Sequence, residues 1–155
     1  MAVNEKEYSD KSLSVPEQVQ LSIYAPSGNF YVTHTDCADL EAMQQGLLAI
    51  LRDRAYRRRY LTAILYLNDD GAEAGTGTGA NIVGGKWTDK DGGHLRLHIP
   101  PASAASGDGR STAGTTIDIS PKGGRLVLMA SRSMRHEVRP SYRQRVAMST
   151  FVTLN

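Results

Sequence analysis

The chain has 155 residues, 40% hydrophobic and 22% charged, which allows one packed domain and excludes wholesale disorder. Eighteen Lys and Arg against sixteen Asp and Glu leave a formal charge of +2, too weak a field to argue for nucleic acid. The single cysteine, Cys37, excludes a disulfide framework and a cysteine-based structural zinc site, and no run approaches the ~18 apolar residues of a membrane span.

Residues 1–17 read as a polar tail and 18–155 as one domain. The tail has no apolar signal core, so a reducing compartment, cytoplasmic or nuclear, is expected, with no membrane partner. Strands are predicted at Gln18–Tyr24 and Phe30–Asp36. Then the texture changes: Leu40, Met43, Leu47, Ile50 and Leu51 recur at three- and four-residue spacing, which predicts an amphipathic helix over about 40–58. Arg52, Arg54, Arg57, Arg58 and Arg59 crowd its end, where cations suit the helix dipole. No aromatic stacking platform accompanies them, so they read as a solvated face and no nucleic-acid partner is expected.

A strand at Tyr60–Leu67 precedes a Gly-rich loop over about 69–85, whose glycine spacing does not make a phosphate-binding loop. Gly93–Ile99 alternates, with His94 and His98 facing away from Leu95, Leu97 and Ile99 and expected to be exposed. A second low-complexity loop is expected over about 101–114. Strands follow at Thr115–Ile119, Arg125–Ala130, His136–Arg139 and Arg145–Thr153. Eight short strands suggest a barrel or a two-sheet sandwich.

Two features carry chemistry. His34 and Asp36 are two apart in a β-type segment, so an imidazole and a carboxylate share a face. With His136 as a third ligand they would make the two-histidine, one-carboxylate facial triad of non-haem Fe(II) oxygenases, which leaves open positions for co-substrate and dioxygen. The bland alternative is a surface histidine beside a turn aspartate. Arg145 begins a strand in which it shares a face with Ala147, Ser149 and Phe151. An inward arginine is costly unless an anion meets it, and a planar guanidinium suits a carboxylate. The alternative is a solvated arginine at a strand edge.

The segments YAPSGNFYVTHTD (24–36), LTAILYLN (61–68), GGHLRLH (92–98), ISPKGGRLVLMAS (119–131) and HEVRPSYRQRVAMSTF (136–151) together resemble the catalytic core of the Fe(II)- and 2-oxoglutarate-dependent prolyl 4-hydroxylases, above all the intracellular prolyl hydroxylase domain enzymes of hypoxia signalling. The resemblance implies a mainly β fold, a double-stranded β-helix (jelly-roll, cupin-like) core, here with one inserted helix. It implies His34, Asp36 and His136 as iron ligands and catalytic residues, and Arg145 and Tyr66 as partners of the distal carboxylate of 2-oxoglutarate. Tyr24, Ile64, Leu95, Val138, Ser149 and Phe151 match pocket-wall positions, although each of these is also an ordinary core residue. Collagen-type relatives are less similar, since they use a lysine where Arg145 stands.

The implied activity is hydroxylation of prolyl residues in a protein substrate at C4, with 2-oxoglutarate and dioxygen consumed, succinate and CO2 released, and L-ascorbate keeping the iron reduced. The same chemistry on free proline or another side chain is an alternative, as is a truncated, catalytically incompetent β-barrel that only binds. Family domains carry several helices ahead of the barrel where this sequence has about 17 polar residues. Either the chain is a fragment or the 40–58 helix substitutes by covering a sheet face. Oligomeric state is not legible.

Overall fold

The computed structural model describes residues 12–37, 58–68, 85–101 and 114–155. The helix expected over 40–58 and the loops expected over 69–85 and 101–114 lie, apart from their end residues, outside them. Nine strands form among the described residues: β1 (Leu13–Ser14), β2 (Gln20–Tyr24), β3 (Asn29–His34), β4 (Arg59–Tyr66), β5 (Leu95–Ile99), β6 (Thr115–Ile119), β7 (Leu126–Ala130), β8 (Arg135–Ser141) and β9 (Arg145–Leu154). All eight expected strands are present with ends moved by a few residues. The two-residue β1, inside the stretch read as tail, pairs with the far end of β9.

Every pairing is antiparallel. One sheet runs β1-β9-β4-β7, with β2 also on β9, and the other runs β3-β8-β5-β6. The chain switches sheets between β2 and β3, across a turn closed by Gly28. This mainly β, two-sheet arrangement is consistent with the expected jelly-roll. No helix among the described residues is long and apolar enough to cross a membrane.

Alternation explains why the sheets face each other. In β4, Thr62, Ile64 and Tyr66 are buried while their neighbours are half-buried, and in β5 Leu95 and Leu97 are buried between polar residues. The shared core is Ile64, Tyr66, Val127, Met129 and Ala147 from the first sheet against Leu95 and Leu97 from the second. Leu95 has no exposed surface. Leu95→Ala should therefore cost about 2–5 kcal/mol through lost burial and a residual cavity, read as a drop in denaturant midpoint; a shift within experimental error would remove Leu95 from the core.

The outer face of β5 and its neighbours β6 and β8 carries Arg96, His98, Asp118 and Glu137. Arg96 grips Asp118 through two 2.7 Å hydrogen bonds. His94 and His98, expected to be exposed, are half-buried: His94 Nε2 lies 3.5 Å from Asp89 and His98 Nε2 lies 3.9 Å from Glu137. Alternation placed them on the correct face, opposite Leu95 and Leu97, but does not give their depth.

Candidate active site

The end of β3 and the start of β8 are brought level. His34 and His136 are direct partners across the β3–β8 ladder, after two register shifts in β3. Their ring centroids lie 4.3 Å apart. Asp36 follows β3 by two residues and turns its carboxylate between them: Oδ1 is 3.4 Å from His34 Nε2 and Oδ2 is 3.6 Å from His136 Nε2. The ligand atoms of all three lie within 4.8 Å of one another, the only such grouping of His, Cys, Asp or Glu among the described residues.

Both imidazoles are preset in the same way. His34 Nδ1 donates to the Val32 carbonyl at 2.8 Å and His136 Nδ1 to the Met134 carbonyl at 3.0 Å. A carbonyl only accepts, so each ring donates from Nδ1 and is left with Nε2 turned toward the Asp36 carboxylate, the nitrogen a metal would take. Burial pushes His136 below its ordinary pKa, which favours the neutral ring. The hydrogen bond to Asp36, against a desolvation cost, raises His34. Burial alone would raise Asp36, but hydrogen bonds from His34 and Thr62 and the imidazole charges outweigh it and hold the carboxyl below its usual range. Two imidazole nitrogens and one carboxylate are the donor set that suits non-haem iron.

The cluster opens onto a cavity of about 190 Å³ between the sheets. Tyr24, Ile64, Leu95, Val138, Arg145, Ser149 and Phe151 line it together with His34, Asp36 and His136. Tyr66 does not line it. Its side chain is wholly buried behind Arg145, and Arg145 Nη2 donates to its hydroxyl at 3.4 Å. Arg145 itself is 2% exposed. Its Nε donates to the Gly93 carbonyl at 2.9 Å, and its guanidinium carbon lies 5.0 Å from the ring centres of both Tyr24 and Tyr66. No carboxylate among the described residues pairs with it. A buried cation with a cavity in front and no anion beside it is the arrangement that accepts an anionic ligand. Burial raises both tyrosines, against the opposing pull of the Arg145 charge, so their hydroxyls stay protonated at neutral pH.

The glycine pair before β5 makes this possible. Gly92 and Gly93 have φ of 63° and 64°. A Cβ on Gly92 would come within 2.1 Å of the Pro140 carbonyl oxygen, and one on Gly93 within 2.6 Å of Ser141 Oγ and 3.2 Å of Arg145 Cδ. Only glycine brings that carbonyl up to the guanidinium.

Three participants were not legible as such. Thr62 Oγ1 donates to Asp36 Oδ2 at 2.7 Å, and the Ser131 hydroxyl lies 2.8 Å from Thr62 Oγ1. Thr62 is an inward polar residue in an apolar strand, which does signal a buried partner, but nothing in the sequence says which. Arg59, read as part of the helix-end cluster, instead begins β4 and lines the cavity, with its guanidinium carbon 3.6 Å from the Phe151 ring centre and its Nη1 donating to the Asp36 carbonyl at 3.2 Å. Cys37, beside Asp36, is buried.

The family model described as the 2OG-Fe(II) oxygenase superfamily matches residues 19–153. Among solved structures, a Pseudomonas putida prolyl-4-hydroxylase is 26% identical, with a TM-score of 0.54, over 87% of this chain and 50% of that one. A Trichoplax adhaerens prolyl hydroxylase, solved with a hypoxia inducible factor oxygen degradation domain peptide fragment, is 22% identical, with a TM-score of 0.56, over 90% and 45%. A Phytophthora capsici prolyl 4-hydroxylase is 20% identical, with a TM-score of 0.53, over 90% and 34%. The last two, at this identity, speak for the fold alone. This chain spans half or less of the length of each. No curated protein matches it in sequence.

Proposed function

The chain belongs to the 2OG-Fe(II) oxygenase superfamily, and from that premise we propose that it hydroxylates prolyl residues of a protein substrate at C4, consuming 2-oxoglutarate and dioxygen and releasing succinate and CO2. The family implies Fe(II), 2-oxoglutarate and dioxygen. The observation that carries the reading is the pairing, in one cavity, of the His34–Asp36–His136 cluster with the buried guanidinium of Arg145, which has no carboxylate partner among the described residues.

His34, Asp36 and His136 are the residues that would hold the iron, and their preset imidazoles and single carboxylate fit it. Bound there, iron would supply the redox chemistry with dioxygen that no side chain can perform. The chain's own groups do the rest. Arg145, backed by the Tyr66 hydroxyl, takes the far carboxylate of 2-oxoglutarate and so orients its other end toward the cluster. Tyr24, Ile64, Leu95 and Val138 wall the cavity and exclude water from the reacting centre. Ser149 and Phe151 continue the wall along β9. Residues 18–155 are the oxygenase domain in this reading, and L-ascorbate is the expected reductant that sustains turnover.

The test is purified protein with Fe(II), 2-oxoglutarate and a panel of proline-containing peptides. Succinate should appear, and a peptide should gain the mass of one oxygen on proline. Succinate without peptide oxidation would move the substrate to free proline or another side chain, and no 2-oxoglutarate turnover under any condition would leave a binding module. Tyr66→Phe removes one hydroxyl behind Arg145, so the KM for 2-oxoglutarate should rise about tenfold, the worth of one hydrogen bond to a charged group, with kcat little changed. An unchanged KM would detach Tyr66 from the co-substrate.

A further inference from the structure

We propose that Thr62 and Ser131 are positioning residues of the Asp36 carboxylate, a hydroxyl relay running from Ser131 Oγ to Thr62 Oγ1 to Asp36 Oδ2 that sets the affinity of the cluster for a divalent cation. The inference rests on Asp36 being a metal ligand, and it names what holds that ligand still.

Asp36 lies beyond the end of β3, so no ladder hydrogen bond orients it. Its carboxylate lies 3.4 Å and 3.6 Å from the two imidazole Nε2 atoms, well beyond the 2.7 Å of the contact from Thr62. The bond from Thr62, at 2.7 Å, is the one short contact to the carboxylate among the described residues. Thr62 and Ser131 are each 1% exposed, so water does not compete for their hydroxyls.

The direction of the relay follows from counting protons. An ionised carboxylate only accepts, so Thr62 spends its single hydroxyl proton on Asp36. The Ser131 hydroxyl, 2.8 Å from Thr62 Oγ1, must then be the donor of that second bond. Donating through both hydroxyls in the same sense polarises the chain and strengthens the terminal bond.

The relay also spans the two sheets. Thr62 is in the middle of β4, and Ser131 directly follows β7; both belong to the first sheet. Asp36 comes off β3 in the second. Backbone bonds brace the same place: Ser131 N donates to the Tyr60 carbonyl at 3.0 Å and Cys37 N to the Ser131 carbonyl at 3.0 Å. The main chain of residue 37 is therefore pinned to the residue whose hydroxyl starts the relay. Carboxylate and relay share one rigid frame, and the carboxylate plane has little freedom left.

The experiment is titration of the full chain with Mn(II) alone, following the electron paramagnetic resonance signal of the free ion. Thr62→Val, which keeps the shape and deletes the hydroxyl, should weaken Mn(II) binding by about 10–100-fold, as loss of an outer partner of a ligand does. Thr62→Ser should restore most of it. Ser131→Ala should give a smaller loss that disappears in the Thr62→Val background, because it acts only through Thr62. A merely structural hydroxyl pair would show losses that add, or a lower melting temperature with unchanged affinity. Wild-type Mn(II) affinity in Thr62→Val overturns the proposal. If that variant fails to fold, wild-type affinity in Ser131→Ala overturns it instead. Asp36→Ala separates the two levels: lost binding there with intact binding in Thr62→Val sinks the relay alone, whereas retained binding in Asp36→Ala sinks the metal site beneath it.

Discussion

Asp36→Ala is expected to bring iron-dependent succinate formation down to the level without enzyme, with the fold intact. The carboxylate is the only anionic donor in the cluster, and the two imidazoles that remain offer a divalent cation no charge neutralisation. The fold should survive because what is lost in the apo chain is one hydrogen bond from Thr62 and two long contacts to imidazoles. Leaving the Thr62 hydroxyl without its acceptor costs about 1–3 kcal/mol. His136→Ala should behave likewise in turnover. Succinate release is the measurement, with thermal melts as the control for folding. Activity retained by both variants would end the assignment of this cluster.

Arg145→Met is the second large effect, and here function and stability should move apart. If Arg145 meets the far carboxylate of 2-oxoglutarate, deleting it removes a buried charge-assisted pair worth about 2–5 kcal/mol, roughly 30- to several-thousand-fold in Kd. In the apo chain the sign differs. The guanidinium is 2% exposed and has no carboxylate among the described residues to compensate it. Methionine fills a similar volume without the desolvation penalty, although the Gly93 carbonyl loses its donor at a cost of about 1–3 kcal/mol. An uncompensated buried charge costs several kcal/mol, so the variant should melt no lower than the parent chain. Adding 2-oxoglutarate with Mn(II) should raise the melting temperature of the parent and not of the variant. A variant that still saturates with 2-oxoglutarate at the parental KM would show that Arg145 does not bind it.

Much of this was legible in the sequence, for reasons that can be named. The alternation in Tyr60–Leu67 and Gly93–Ile99 is clean because one face of each strand is core, so strand, face and inward residues follow together. His34 and Asp36 share a face by period alone, and the spacing from His136 to Arg145 came with the family resemblance. What escaped was whatever depends on a meeting between distant segments. Ser131 reaches Thr62 across 69 residues of sequence. β1 is two residues long, too short to show any period. Arg59 sits at the seam between a helical pattern and a strand pattern, and periodicity does not decide which side of a boundary a residue joins. Whether Tyr66 lines the cavity or backs its arginine is a question of depth, and alternation gives only the face.

The two register shifts in β3 have a consequence for how the site tolerates change in length. The two shifts cancel: His34 meets His136 in the same register in which Asn29 meets Ser141, and only the Tyr31–Val138 pair between them is out of step by one. Side chains alternate between faces, so deleting or inserting one residue in that short stretch would throw an imidazole out to solvent while leaving most of the sandwich intact. Substitutions along β3 are absorbed one side chain at a time; a frame error of one position is not. The positions of β3 that face away from the cavity can therefore be changed, but the strand cannot be trimmed.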